Sequence, residues 1–184
     1  MSKKSVCVFC GAKPGNDPKY ASVAFEFGRA LALANYRLVY GGGKVGLMGA
    51  VAAGALAEGG EVLGIMPQAL LDRELGHTGL TTLDIVPSMS VRKDKMIEVS
   101  DAFVTLPGGL GTLDELFEVM TLRQIGYHSK PVVLLDQDGY FQPLVIACQS
   151  MLAAEFVYTR ELDYLVVGDN IAAVMAALKK AFLN

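Results

Sequence analysis

The chain has 184 residues, 52% of them hydrophobic and 19% charged, with a net charge of −3, long enough for an ordinary core without disulfide or metal staples and read as one domain over 1–184. No basic run exceeds two residues and the isoelectric point is near 5.4, so the electrostatic footprint of a nucleic-acid polymer binder is missing, while a small phosphate ester needs none. Charges or glycines interrupt every apolar run before the roughly 18 residues of a membrane span.

The opening MSKKSVCVFCG is too poor in apolar residues for a signal-peptide core, and three cysteines, an odd number, suit a reducing compartment, so a cytoplasmic location is expected. A mean hydropathy of +0.39 fits a parallel sheet buried on both faces, with some apolar surface left for a partner subunit.

Residues 5–10 read as a first buried strand, followed by the turn-rich loop Gly11-Ala12-Lys13-Pro14-Gly15-Asn16. Asp17 as N-cap and Pro18 at the first helical position open a helix whose buried stripe is Ala21, Ala24, Phe25, Gly28, Leu31 and Ala32. Cys7 and Cys10 form a C-x-x-C pair, but an odd offset within a strand sends the side chains to opposite faces, which argues for burial and not for a redox or zinc pair. Cys10 is placed near the mouth of a site.

Residues 37–40 form the second strand, and Gly41-Gly42-Gly43-Lys44-Val45-Gly46 leads into a small-residue helix over 47–58. The G-x-G-x-x-G match is not in a dinucleotide context, because it does not follow the first strand and no acid ends the next one. Nor is it a Walker A loop, since Lys44 is followed by Val45. It reads either as a tight strand-to-helix turn or as a second phosphate or ribose wall formed by Gly11, Gly41, Gly42 and Gly43, with Met89.

A third strand spans 61–66, a short helix 68–73 and a short strand 83–86. His77 and His128 lack partners for metal binding and are read as surface residues, so no metal is expected. Pro87 and Ser88 open a helix over 89–100 with Met89, Met96 and Ile97 facing inward; the adjacent cations Arg92 and Lys93 have the pattern of a solvated face. Strands at 130–135 and 164–167 alternate with helices at 141–154 and 171–183. The alternation predicts an α/β fold: a Rossmann-like, three-layer arrangement with a mostly parallel sheet of about six to seven strands flanked by helices. The loops at Gly11, Gly41 and Gly108 all follow strand ends and are expected on one rim.

The stretch 101–123 carries the chemistry. A buried strand over 102–106 runs into Pro107-Gly108-Gly109-Leu110-Gly111-Thr112 and then into a helix with Leu113, Leu116, Phe117, Met120 and Thr121 at helical spacing. Glycines there admit a ligand to the backbone N–H groups, and the helix dipole favours an anion. Thr112 and Glu115 also fit a T-x-x-E capping box. Asp114 and Glu115 would repel a phosphate bound within one turn of them, so a carboxylate at that place suggests chemistry: stabilising a cationic sugar or orienting water.

Together GGGKVGLMG at 41–49, RKDKM at 92–96 and PGGLGTLDE at 107–115 resemble the LOG family of cytokinin-activating phosphoribohydrolases, over nearly the whole chain. The resemblance implies hydrolysis of the N-glycosidic bond of a nucleoside 5'-monophosphate, with no cofactor expected; together with the high apolar fraction it points to a homodimer built partly on the helix at 113–127 or its neighbours. It implies a catalytic pair, Arg92 and Glu115, and a phosphate on Gly109, Gly111 and Thr112; with the rest of the turn, Gly108, Leu110, Leu113 and Asp114, these are the expected binding run. It sets the nucleotide against Glu74, Arg92, Lys93 and Thr121. One departure is that the family's Met-His before the R-K pair reads Met89-Ser90 here. Arginine is a poor literal proton donor, so Arg92 takes an electrostatic role. The alternative is a non-catalytic nucleotide-binding or carrier protein on the same scaffold. A decarboxylase would need a Schiff-base lysine for pyridoxal phosphate, and none stands in a recognisable setting.

Overall fold

The computed structural model describes residues 3–73, 76–157 and 164–183. Among these residues seven strands form one sheet: β1 (Ser5–Phe9), β2 (Arg37–Tyr40), β3 (Val62–Pro67), β4 (Thr82–Val86), β5 (Ala102–Thr105), β6 (Val132–Leu135) and β7 (Leu165–Gly168). Their order is β4-β3-β2-β1-β5-β6-β7, and every neighbouring pair is parallel. The helices are α1 (Pro18–Leu33), α2 (Gly46–Ala57), the short α3 (Gln68–Leu71), α4 (Met89–Glu98), α5 (Leu110–Gln124), α6 (Gln142–Ala153) and α7 (Ile171–Leu183). The sheet is parallel throughout because each strand is returned by a crossover, which buries both faces of the central strands and leaves the edge strands β4 and β7 partly exposed.

Alternation along β1 divides the core. Val6, Val8 and Cys10 enter the cluster that packs with α1, α2 and α7; Cys7 and Phe9 enter the opposite one, against α4 and α5. The two thiols are therefore on opposite faces, free and buried, as the odd spacing requires. α1 opens as expected: the Asp17 carboxylate accepts from Lys19 N at 2.9 Å and Pro18 is the first helical residue. Its fully buried residues are Ala24, Phe27, Gly28 and Leu31, with Phe25 only half-buried. The buried face is rotated from the expected stripe because α1 touches both α2 and α7 besides the sheet.

The contact of α1 with α2 is backbone on backbone. A Cβ on Gly28 would stand 2.0 Å from Val51 O, and one on Gly54 would stand 1.9 Å from Phe25 O. The small residues of α2 are what permit this approach.

Going outward from β1, the chain progresses in opposite directions on the two sides, through β2 or through β5. That reversal opens a crevice at the carboxyl ends of the strands. The loops there are stitched through Gly11, whose N–H donates to Pro107 O at 3.0 Å and whose carbonyl accepts from Leu47 N at 2.9 Å. The loops after β1, β2 and β5 thus share one rim. No helix among the described residues is long and apolar enough to cross a membrane.

Candidate functional site

Beyond β5, Leu106, Pro107 and Gly108 carry the chain over the sheet edge into α5. The N-cap is Gly109, which makes no side-chain cap, and Leu113 N donates to Gly109 O at 3.1 Å as the first intrahelical bond. The amides of Leu110, Gly111 and Thr112 precede that bond and have no acceptor within the helix, at the positive end of its dipole. The T-x-x-E capping box is not formed. The helix begins at Leu110, so Thr112 is already inside its first turn and Glu115 stands too far along to reach back to the cap.

The glycines of this turn do different things. A Cβ on Gly108 would come within 2.1 Å of Thr112 Oγ1, so Gly108 is small to let the buried Thr112 pack. A Cβ on Gly109 or Gly111 meets nothing within 4 Å, and neither residue has a left-handed φ. Nothing inside the chain requires glycine at these two positions; their openness serves whatever approaches from the cavity.

α4 supplies the counter-charges. Ser88 caps it, its hydroxyl accepting from Val91 N at 3.2 Å, and this sets the next turn against α5. Arg92 is not on a solvated face: it is 6% exposed. Its Nε donates to Ile65 O at 3.0 Å, and its Nη1 donates to Glu115 Oε1 at 2.6 Å. Lys93 bridges Asp114 Oδ2 at 3.2 Å and Glu118 Oε2 at 3.1 Å. The two acids near the helix start are thus each met by a cation from α4, which answers the repulsion that the sequence alone implies.

Burial raises the pKa of Glu115 above the ordinary carboxylate range, and Arg92 offsets only part of that. Burial alone would lower Lys93, but Glu118 and Asp114 outweigh it and hold the ammonium above its usual value.

These groups face a cavity of about 700 Å³, within the usual range for a small-molecule site. Arg92, Glu115, Asp114, Thr112, Gly109 and Gly111 line one side of it, with Gly108, Gly11, Gly41, Gly43 and Met89 around them. Met89 is nearly half-exposed at the start of α4 and turns to the cavity instead of the core, whereas Met96 is buried and Ile97 half-buried against the sheet.

Several expected binding residues do not line this cavity, although the amide of Leu110 remains at the open helix start. Lys93 stands behind Asp114, Leu110 is 88% exposed, Leu113 packs toward the core and Thr121 faces solvent. Gly42 is a turn residue, with φ +76° and its carbonyl accepting from His77 N at 2.9 Å. Glu74 lies outside the described residues. His77 and His128 are half-buried and away from the cavity; His128 is not a plain surface residue, since its Nε2 meets Val119 O at 3.0 Å and its ring packs on Phe103.

The sequence reading missed the aromatic and aliphatic parts of the wall. Tyr140, from the loop after β6, donates its hydroxyl to Gly108 O at 2.6 Å and packs edge-on against Tyr20 of α1. Met48, Met66 and Leu70 form the apolar end. The position of Tyr140 after a strand end was the available signal, because that rim is where an open parallel sheet binds ligands. Cys10 does line the cavity as expected; burial pushes its thiol well up, so it serves there as a small neutral wall.

A doubly wound parallel sheet with an uncapped glycine-rich helix start and a buried Arg–Glu pair at its switch point defines a Rossmann-like α/β protein with a cavity of small-molecule size. The model of the family described as "Possible lysine decarboxylase" matches residues 48–178, and a cytokinin riboside 5'-monophosphate phosphoribohydrolase of Rhodococcoides fascians is 44% identical over 177 residues, 96% of this chain and 89% of the relative. The chain belongs to that family, the LOG family of phosphoribohydrolases.

A relative of the same name from Arabidopsis thaliana is 41% identical over 175 residues, 95% of this chain and 81% of its own. Among solved structures, the molybdenum cofactor binding protein of Rippkaea orientalis superposes with a TM-score of 0.77 at 20% identity, covering 99% of each chain. At that identity the likeness concerns the fold alone.

Proposed function

We propose that the chain hydrolyses the N-glycosidic bond of a nucleoside 5'-monophosphate, AMP or an N6-modified AMP of the cytokinin riboside type, releasing free base and ribose 5-phosphate. The carrying observation is the Arg92–Glu115 contact at 2.6 Å, buried beside an open helix start. A site that only held a phosphate dianion would have no electrostatic use for a buried carboxylate that needs its own counter-charge. The activity for which the relatives are named fits this reading.

In the proposed reaction the phosphate sits on the first-turn amides of α5, where Gly109 and Gly111 leave the approach clear. The bond between C1' and the base nitrogen breaks, its electron pair leaving with the base, while a water oxygen bonds to C1' and gives up a proton. Glu115 faces the cationic sugar and orients the water; its raised pKa brings it closer to the working pH of a general base. Arg92 holds Glu115 in place and stabilises the charge moving onto the base. The base takes its proton from another donor, since a guanidinium does not release one.

The enzyme is further proposed to work in the cytoplasm as a homodimer. Ile125 and Tyr127, exposed just beyond the end of α5, offer a second copy its contact. Light scattering is expected to give about twice the 19.6 kDa chain mass, and a monomer would remove the dimer from the proposal.

The deciding experiment incubates the purified protein with AMP, N6-prenylated AMP, CMP and the matching nucleosides, and follows free base by chromatography. Release from purine monophosphates but not from nucleosides is expected. Nucleotide binding without release from any of them would return the chain to the carrier reading.

A further inference from the structure

We propose that Gly41 is a positioning residue for Arg92: the missing side chain at the end of β2 is the seat that holds the guanidinium against Glu115. An ideal Cβ at position 41 would stand 2.0 Å from Arg92 Nη2, 3.1 Å from its Cζ and 3.2 Å from Met48 Sδ. The reason for glycine here is not conformational. Gly41 has no left-handed φ, and the turn that follows is made by Gly42 at φ +76°. The backbone at 41 would accept alanine; the space would not.

The guanidinium has little room to yield. It is buried, with Nε on Ile65 O at 3.0 Å and Nη1 on Glu115 at 2.6 Å. Restoring ordinary contact with a new methyl group requires a retreat of roughly 1.5 Å, and either hydrogen bond breaks or bends before that distance is covered. Tyr40, directly before Gly41, is fully buried with its hydroxyl donating to Gly43 O at 3.2 Å, so the strand end is held as well. Gly41 therefore does more than line the cavity: the direction its side chain would take belongs to the arginine.

This inference rests on Arg92 and Glu115 being the reactive pair, and its test separates the two ideas. The charged and titratable groups facing Glu115 are Arg92 and Lys93 from α4, Asp114 from its own helix, Cys7 from β1 and Cys10 just after it. Gly41→Ala, Arg92→Lys and the double variant G41A/R92K are compared by base release and melting temperature. Carbon-13 NMR titration of the Glu115 carboxyl, assigned by its disappearance in Glu115→Gln, supplies a second readout.

Gly41→Ala is expected to lose on the order of a hundredfold in kcat, the effect of an ångström-scale misplacement. Its Glu115 titration and the acid limb of its rate profile should move up by about 1–3 units, because the opposite charge withdraws while burial remains. In the Arg92→Lys background the same alanine should cost less than about threefold, since no second guanidinium nitrogen occupies the seat. Equal losses in both backgrounds, or an unmoved Glu115 titration in Gly41→Ala, overturns the proposal. If Gly41→Ala does not fold, recovery of folding in the double variant supports the steric coupling, and failure of both overturns it. If the wild-type protein releases no base, the hydrolase reading fails, and the titration still decides the role of Gly41.

Discussion

Gly111→Ala should make the protein slightly more stable and a much poorer binder of nucleotide. Gly111 is in the first turn of α5, its φ is not left-handed, and a Cβ there meets nothing within 4 Å. Within the chain alanine is therefore tolerated, and it restricts the unfolded state, which is worth about 0.4–1 kcal/mol, or an increase of a few degrees in Tm for a chain of this size. The same methyl group stands in the space that the proposed phosphate needs to reach the amides of Leu110, Gly111 and Thr112. Losing one hydrogen bond to a charged group costs about 1.5–3 kcal/mol, which corresponds to roughly a 10- to 150-fold rise in Kd. Calorimetric titration with AMP in a Glu115→Gln background measures affinity without turnover, and scanning calorimetry gives Tm. Gly108→Ala is the contrast: its Cβ would press on Thr112 Oγ1 at 2.1 Å and Gly11 N at 2.9 Å, so stability should fall. AMP binding by Gly111→Ala as tight as wild type, with Tm raised, would show that the phosphate does not sit at the start of α5.

Glu115→Gln should keep its fold and lose about a hundredfold or more in kcat, the effect of deleting one preorganised electrostatic contact. Because the folded-state pKa of Glu115 is raised, its contribution to stability is present at low pH and lost as pH rises through the folded pKa; the Gln carbonyl still accepts from Arg92 Nη1, so Tm of the variant should fall little. The wild-type rate should fall on an acid limb lying above the ordinary glutamate value of about 4.3, and near-normal turnover in Glu115→Gln would remove the central residue of the mechanism. Gly28→Ala should destabilise by about 3 kcal/mol or more, the upper range for overpacking, since the new methyl group would stand 2.0 Å from Val51 O; urea unfolding measures it, and an unchanged midpoint would mean that α1 and α2 separate freely.

The alternation of strands and helices was legible because each element carries its own period and its own stops. Asp17-Pro18 and Ser88 cap helices where they stand in the sequence, and the rim shared by Gly11, Gly41 and Gly108 follows from parallel strands ending at one edge. What failed were inferences that depend on register between elements. Thr112 and Glu115 have the spacing of a capping box, yet the turn after Pro107 is wound so that helical geometry starts at Leu110, and spacing alone does not fix the first helical residue. Phe25 and Phe27 are both plausible core residues, and the choice between them was made by the packing of α1 on α2 and α7. The lining by Tyr20, Tyr140, Met48 and Met66 draws on four separate segments, each locally indistinguishable from ordinary core or surface.

The charges show most clearly where local reading ends. Arg92-Lys93 reads as a solvated pair and Asp114-Glu115 as two acids in an unfavourable place, and neither dipeptide refers to the other across more than twenty residues of sequence. The ridge of α4 facing α5 brings Arg92 to Glu115 and Lys93 to Asp114, so two locally unfavourable patterns become two ion pairs. They differ in kind. Lys93 and Asp114 are partly in water, Asp114 with 62% of its side chain exposed, and such a pair adds little to stability. Arg92 and Glu115 are 8% and 12% exposed at the side chain, where burial raises the pKa of Glu115 despite the guanidinium beside it, and removing two charges from water offsets much of their attraction. A fold selected for stability alone would place apolar residues there. Retaining the costly pair beside an uncapped helix start, with Gly41 reduced to a hydrogen on the side where the guanidinium lies, is what a preorganised site for developing charge requires.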